Sequence, residues 1–183
     1  FFSTLSAIGL HIYLSLKYYS LKFGVDSSNA CNINDRFNCD VASTSQFADI
    51  FGVPIAMLGA LTNAAIFILM LNWFLNSDDS RRAFRFGYLL SLFSFIVSVA
   101  MGAISVLYLS SYCPFCIGAY VLSALTLACM YALSDKKLKL PALLPMLAKE
   151  NRGTLFLFLS IPLLGLFINW NINKGFSSER LQL

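Results

Sequence analysis

The chain has 183 residues, of which 58% are hydrophobic and 12% are charged, and its mean hydropathy is +0.71. Soluble domains are close to half apolar and a quarter charged, so this composition is typical of a membrane protein. The formal net charge of +4 does not indicate a nucleic-acid partner, because the basic residues cluster between apolar runs as they do in the loops of membrane proteins.

Five apolar stretches follow one another along the chain, and each is long enough for a membrane-spanning helix. Residues 86–134 give the clearest evidence, because they contain no Asp, Glu, Lys or Arg and can hold two helices of about 20 residues each. The sequence therefore predicts an all-α polytopic membrane protein with a single transmembrane domain over residues 1–183. Its predicted helices cover about residues 1–19, 53–74, 86–109, 114–133 and 154–170.

Basic residues fall mainly in two connecting loops, which follow the second and the fourth predicted helix. Cytoplasmic loops carry an excess of Lys and Arg, so we expect both loops on the cytoplasmic side. The polar segments 22–46 and 110–113 then face the opposite, oxidising side. The basic residues of the two loops are Arg81, Arg82, Arg85, Lys136, Lys137, Lys139, Lys149 and Arg152.

The first predicted helix carries the only histidine of the chain, His11. An ionisable side chain within a membrane helix is a functional candidate by default. A neutral imidazole bonded to a neighbouring helix is the alternative, and the sequence names no partner that would decide between them.

A polar loop, residues 21–51, joins the first two helices and contains Cys31 and Cys39. Its many Asn, Asp, Ser and Gly residues favour turns. The Ser-Thr-Ser-Gln sequence of residues 43–46 has the pattern of a capping box. We therefore expect a short amphipathic helix to begin there and to run through Phe51.

The sequence Cys113-Pro114-Phe115-Cys116 stands at the start of the fourth predicted helix. Pro is favoured at the first helical position, so we expect both sulfurs in the cap and first turn. The helix dipole and the free amide groups stabilise a thiolate there, which favours thiol–disulfide exchange. Cys129, deep in the same helix, is interpreted as a packing residue.

The two cysteine pairs, C-x7-C in the loop and C-x2-C at the helix start, together predict a thiol–disulfide relay. Two other interpretations remain. Four thiolates can hold zinc, although C-x7-C is an unusual spacing for a zinc site and an oxidising compartment favours disulfides. Two structural disulfides explain the loop pair well, but a bond across only two intervening residues is strained and readily reduced.

The order of these motifs resembles the vitamin K epoxide reductase family, particularly its bacterial members that make disulfides for secreted proteins. The resemblance covers most of the chain and includes the first helix. Its motifs are Cys31 and Cys39, the pair Cys39-Asp40 followed by Ser45, the stretch Phe51-Gly52-Val53-Pro54, and Cys113-Pro114-Phe115-Cys116 with Tyr120.

The resemblance implies a four-helix bundle around a quinone, with a fifth transmembrane helix. It also implies a role for each cysteine of the relay. Cys116 is expected to face the quinone, with Cys113 as its resolving partner. Cys39 is expected to attack Cys113, and Cys31 to exchange with a thioredoxin-fold protein.

The resemblance further implies that Ser45 assists this transfer and that Tyr120 lies near the quinone. The vertebrate enzymes have an asparagine that contacts vitamin K where this chain has Ala48. This departure favours reduction of a quinone, either ubiquinone or menaquinone, over reduction of an epoxide. The expected catalytic residues are thus the four relay cysteines and Ser45, the expected quinone-binding residues are Cys116, Tyr120 and Ala48, and no metal is expected.

These inferences describe a quinone-dependent thiol–disulfide oxidoreductase that supports disulfide bond formation, in contact with membrane lipid. We expect it in a bacterial inner membrane, with its cysteines on the periplasmic side. The resemblance implies a thioredoxin-fold protein as partner, or a thioredoxin-like domain fused after the fifth helix as in many bacterial relatives. Because the chain begins with Phe, we separately expect the natural protein to extend upstream. The non-enzymatic alternative is a membrane anchor stapled by two disulfides.

Overall fold

The computed structural model describes residues 1–24, 36–75, 80–109, 112–134 and 151–180. Cys31 and the basic residues between 136 and 149 lie outside these ranges, so what the sequence predicts for them remains a prediction. The helices are α1 (Phe2–Phe23), α2 (Cys39–Thr44), α3 (Ile55–Leu75), α4 (Ser80–Tyr108), α5 (Pro114–Leu133) and α6 (Asn151–Arg180), and the strands are β1 (Asp49–Ile50) and β2 (Val53–Pro54).

Long apolar helices dominate the described chain. Within it, the segments Ile55–Leu75, Ala83–Tyr108 and Pro114–Leu133 are long and apolar enough to cross a membrane. Helix α1, of 22 residues, is also long enough at about 1.5 Å per residue, but His11 and Lys17 make it more polar. The prediction of an all-α membrane protein is confirmed.

Four of the long helices form a ring in the order α1, α3, α4, α5, and α5 closes the ring against α1. Helix α6 packs outside the ring, against α3 and β2. Large apolar side chains such as Phe93, Ile96 and Val99 point outward and are exposed. A helix that is apolar on its outer face as well as its inner one suits a lipid environment. The inner face holds a buried cluster of Ile66, Met70, Phe84, Tyr88, Leu90 and Met130.

Several helices extend beyond the apolar runs from which they were predicted. Helix α4 begins at Ser80, whereas the predicted span began at about residue 86. Helix α6 continues to Arg180, beyond the predicted end at about residue 170. Hydropathy marks only the part of a helix that suits hydrocarbon, and the backbone hydrogen bonds continue into polar sequence on either side.

The helix expected to begin at residue 43 is not formed, and this prediction was wrong. Helix α2 ends at Thr44, and Ser45 is its C-cap with extended backbone. The helix begins earlier because Asn38 Oδ1 accepts hydrogen bonds from the amides of Asp40 and Val41, at 2.9 and 3.4 Å. Asn is among the preferred N-cap residues, so a second capping pattern in the loop determines where the helix lies.

A two-stranded antiparallel hairpin, β1–β2, occupies the place of the expected helix. Its strands pair Asp49 with Pro54 and Ile50 with Val53. The turn places both Phe51 and Gly52 in the left-handed region, with φ of 52° and 79°, as two-residue hairpin turns require. The amide of Gly52 donates to the carboxylate of Asp49 at 2.8 Å.

Helix α6 is attached to the bundle by a buried hydrogen bond and a close approach. The Tyr19 hydroxyl donates to Asn169 Oδ1 at 2.7 Å. At Gly165 the backbone comes so near to α3 that a Cβ atom would lie 2.8 Å from a methyl carbon of Leu58. A larger residue at this position must therefore move α6 or α3.

We expect Gly165→Leu to lower the free energy of unfolding by about 1–3 kcal/mol, because it overpacks the contact between α6 and α3. The matched control is Gly175→Leu in the same helix, where the added Cβ meets no described atom of another helix within 4 Å. The measurement is thermal unfolding of the detergent-solubilised protein by circular dichroism. Equal melting temperatures for the two variants would contradict the packing of α6.

Candidate active site

A short backbone pairing joins the segments that precede α2 and α5. Phe37 and Tyr112 form an isolated parallel bridge. The amide of Asn38 donates to the carbonyl of Tyr112 at 3.0 Å, and the amide of Tyr112 donates to the carbonyl of Arg36 at 2.7 Å. Cys113 follows the bridge by one residue and Cys39 by two. The bridge therefore brings the two cysteines side by side.

Helix α2 holds Cys39 in a fixed position that is buried from solvent. Because Asn38 is the N-cap, Cys39 is the first residue of the helix, and its side chain is fully buried. The next residue, Asp40, forms an ion pair with Lys17 of α1 at 3.1 Å. The Lys17 side chain is only 3% exposed, so this charged contact fastens the start of α2 to the bundle where water has little access.

The N-terminus of α5 is built around the sulfur of Cys113. Cys113 is the N-cap with extended backbone, and Pro114 is the first helical residue, as the sequence predicted. The Cys113 sulfur accepts a hydrogen bond from the amide of Cys116 at 3.1 Å. The partial positive charge of a helix N-terminus stabilises negative charge on a sulfur in this position.

Three sulfur atoms meet at this end of the bundle. Cys113 and Cys116 are joined by a disulfide. The sulfur of Cys39 lies 3.2 Å from that of Cys113, and Cys39 is disulfide-bonded as well. Exchange requires a sulfur to approach one atom of a disulfide, and Cys39 is already in contact with Cys113.

Apolar side chains surround the sulfurs. Cys39, Cys113 and Leu14 form a buried cluster. The rings of Tyr13 and Phe115 meet edge to face, with centroids 4.9 Å apart, and pack against the same cluster. Water is thus excluded from the contact between Cys39 and Cys113.

A cavity of about 110 Å³ opens beside the sulfurs. Of the residues singled out in the sequence, it brings together Ser45, Ala48, Cys113, Cys116 and Tyr120. Cys39 is not part of its wall, but its sulfur contacts that of Cys113, which is. Helix α4 contributes Met101 and Ser105 to the wall. Neither residue belongs to a motif, so neither could be identified from the sequence.

Local contacts position the predicted residues in the cavity wall. The hydroxyl of Ser45 donates to the carbonyl of Ala42 at 2.9 Å. The amide of Ala48 donates to the carbonyl of Ser45 at 3.0 Å. The Tyr120 ring lies over Gly102 of α4, where a Cβ atom would be 3.5 Å from it. Helix α4 thus approaches closely enough to close the cavity around Tyr120.

His11 also lines the cavity, although the sequence left its role open. Its Nδ1 lies 2.7 Å from the carbonyl oxygen of Ala7. The imidazole packs on Gly59 of α3 so closely that a Cβ atom on that residue would overlap the ring. The neighbouring helix therefore offers the ring a backbone surface and not a hydrogen-bonding side chain.

The described residues contain no group of three or more His, Cys, Asp or Glu side chains that could hold a metal ion. Cys129, which was interpreted from the sequence as a packing residue, is a free and exposed cysteine, so it does not pack within the described bundle.

The vitamin K epoxide reductase family model matches residues 1–131, well over half of the chain. The chain belongs to the vitamin K epoxide reductase family. The match runs from α1 almost to the end of α5 and so includes every residue of the cavity and the sulfur cluster, while α6 lies beyond it. No match was found among curated proteins or solved structures.

Membership of the vitamin K epoxide reductase family gives the sulfur cluster a chemical context. The family carries out redox chemistry in membranes, and it is generally linked to quinones and disulfides. The chain is therefore an integral membrane protein of an oxidoreductase family, with a disulfide at the N-terminus of α5.

The sulfur contact predicts a selective cross-link. In a Cys31→Ser, Cys116→Ser double variant, Cys39 and Cys113 lose their expected disulfide partners. The backbone bridge between Phe37 and Tyr112 still holds the two cysteines side by side, so mild oxidation should join them by a disulfide almost completely. Peptide mass spectrometry of the protein digested without reduction should detect the Cys39–Cys113 bond.

The control is a Cys31→Ser, Cys113→Ser, Cys116→Ser triple variant. It retains Cys39 and the exposed Cys129, which the structure does not bring together, and should stay reduced within each chain. Failure of the double variant to cross-link would show that the two segments are not aligned by the bridge.

Proposed function

We propose that this chain is a quinone-dependent thiol–disulfide oxidoreductase that oxidises a thioredoxin-fold protein outside the cytoplasm and supports disulfide bond formation. One observation carries the proposal: the sulfur of Cys39 touches that of Cys113 at 3.2 Å beside a cavity that Cys116 lines. A route for two electrons thus leads from the loop to the cavity.

The proposed cycle begins in the loop. A thiolate of the reduced partner attacks Cys31 of a Cys31–Cys39 disulfide and releases Cys39 as a thiolate. The second partner thiol then displaces Cys31, so that the partner leaves with a disulfide and the loop pair holds two electrons. Each step exchanges one sulfur–sulfur bond for another, and no other oxidant is needed.

Cys39 then attacks Cys113 and breaks its bond to Cys116. Cys31 in turn attacks Cys39, which restores the loop disulfide and releases Cys113. The amide of Cys116, 3.1 Å from the Cys113 sulfur, favours this step because it stabilises the departing thiolate. Cys113 and Cys116 re-form their disulfide by giving two electrons, with two protons, to a quinone substrate that becomes a quinol.

The cavity suits the ring of a quinone. Its volume of about 110 Å³ is comparable to the cavity of about 150 Å³ that binds benzene in an engineered protein. Tyr120 and Ser105 provide hydroxyl groups in a largely apolar wall. Ala48 contributes only a methyl side chain, which supports a quinone, ubiquinone or menaquinone, over an epoxide. Ser45 lies where the loop meets the cavity and is the proposed assistant of sulfur transfer.

The charge distribution indicates on which side of the membrane the sulfurs lie. The end of α1, the start of α3, the end of α4 and the start of α5 all meet at the cavity. Arg81, Arg82 and Arg85 lie in the first turns of α4, and Lys136, Lys137 and Lys139 follow α5 in the chain, so both basic groups belong to the opposite ends of these helices. Cytoplasmic loops are enriched in basic residues, so we place the sulfurs on the periplasmic side of a bacterial inner membrane.

A disulfide-stapled anchor without catalysis is the second candidate function. Two disulfides in van der Waals contact would also fix the loop on the bundle. The cavity beside Cys116 argues against this role, because a structural staple needs no empty space. Turnover with a quinone separates the two functions.

We expect the purified protein to reduce a short-chain ubiquinone analogue with either a reduced thioredoxin-fold protein or dithiothreitol as donor. Cys39→Ala should lower the rate with the protein donor at least 100-fold, because the path to Cys113 is removed. The rate with dithiothreitol should change much less, since this small thiol can attack the disulfide at Cys116, which is only partly buried and lines the cavity. Absorbance of the quinone measures both rates.

Cys129→Ala is the matched control, because this cysteine is free and exposed and should not alter either rate. If Cys39→Ala oxidised the protein donor at the normal rate, Cys39 would not be the shuttle. If the wild-type protein showed no turnover with either donor and kept its disulfides oxidised, the anchor would be the correct function.

A further inference from the structure

The proposed mechanism does not use His11, although its side chain lines the same cavity as Cys116. Its Nδ1 lies 2.7 Å from the carbonyl oxygen of Ala7. A carbonyl oxygen can only accept a hydrogen bond, so Nδ1 carries a proton and donates it. In the neutral ring Nε2 is then an acceptor with no proton, and in the described part of the chain it has no hydrogen-bond partner.

The position of the ring is specific. Gly59 of α3 lies directly against the Cδ2–Nε2 edge of the imidazole, so any side chain there would displace the ring and cover Nε2. The carbonyl of Gly59 accepts a hydrogen bond from the amide group of Asn63 at 2.9 Å, and Asn63 is 1% exposed. The surface that supports the ring is therefore itself fixed within the bundle.

A quinone and its quinol differ in the hydrogen bonds they can form. The two oxygens of a quinone only accept, whereas the two hydroxyls of a quinol can also donate. The hydroxyls of Ser105 and Tyr120 in the cavity wall can donate or accept, so they can bind either form. Neutral His11 donates its ring proton to the carbonyl of Ala7, so Nε2 can only accept a hydrogen bond. Nε2 can therefore bind a quinol hydroxyl but not a quinone oxygen.

We propose that His11 makes the cavity selective for the quinol, by accepting a hydrogen bond from a quinol hydroxyl at Nε2. This inference rests on the proposed reduction of a quinone. Because the quinol is then bound more tightly than the quinone, transfer of two electrons from Cys113 and Cys116 to the bound quinone becomes more favourable. His11 is thus a ligand-contacting residue that favours the direction of electron transfer.

Two substitutions at position 11 separate this role from a structural one. Asn can donate from the position of Nδ1 and keep the bond to Ala7, but it has no atom at the position of Nε2. Gln reaches the position of Nε2 with an amide oxygen, but it gives up the bond to Ala7. A ligand role requires Gln to restore function better than Asn, and a structural role requires the reverse.

The experiment measures dissociation constants by anaerobic titration calorimetry, with a short-chain ubiquinone analogue and its quinol as the two probes. The full chain is used with its disulfides oxidised, so that it cannot reduce the quinone, and thiol labelling after the titration checks that the quinol has not reduced the disulfides. For His11→Asn we expect quinol binding to weaken about tenfold, as for the loss of one buried hydrogen bond, while quinone binding changes less than twofold. His11→Gln should recover most of the quinol affinity.

Gly59→Ala tests the same idea without changing the histidine, because the new methyl group displaces the ring. It should weaken quinol binding as His11→Asn does. Gly9→Ala is its control, since no other heavy atom lies within 4 Å of that Cβ. Melting temperatures of the four variants show whether each remains folded.

The two proposals fail differently. If the wild-type protein reduces the quinone but His11→Asn binds the quinol normally, or binds it better than His11→Gln does, the role of His11 is overturned and the quinone reductase stands. If the wild-type protein neither turns over nor binds either probe, both proposals are wrong.

Discussion

The arrangement of the sulfurs depends on the two backbone hydrogen bonds between the Phe37 and Tyr112 segments. These segments are 75 residues apart in the chain and belong to different helix starts. Because backbone geometry fixes the pairing, the sulfurs of Cys39 and Cys113 meet without a long side chain to guide them. The ion pair of Lys17 with Asp40 and the N-cap Asn38 then hold helix α2 in that alignment.

Much of this arrangement could be predicted where the determining interactions are local. Pro114 indicated the start of α5 correctly, since a proline favours a first helical position whatever surrounds it. The start of α2 was misplaced because two capping patterns occur in one polar loop, at Asn38 and at Ser43. The long-range bridge beside Asn38 selects the first, and a local pattern contains no information about it.

The cavity was predictable only in part for the same reason. Ser45, Ala48 and Tyr120 were identified by resemblance, and the structure places all of them in one wall. Met101 and Ser105 lie in a long uncharged run where every turn of helix has similar composition, so hydropathy could not show which face points inward. The position of the His11 ring depends on its contact with Gly59 of α3. The spacing of residues within α1 contains no information about that contact.

The ends of the bundle helices explain why the chemistry lies where it does. Each helix end leaves backbone groups without intrahelical partners, and at a membrane boundary these must be satisfied. Here the amide of Cys116 is satisfied by the Cys113 sulfur, and that of Asn38 by the carbonyl of Tyr112. The groups that need partners for stability are thus the groups that align and polarise the sulfurs. A single requirement, pairing of backbone groups beside lipid, accounts for both the fold at this end and the alignment of its sulfurs.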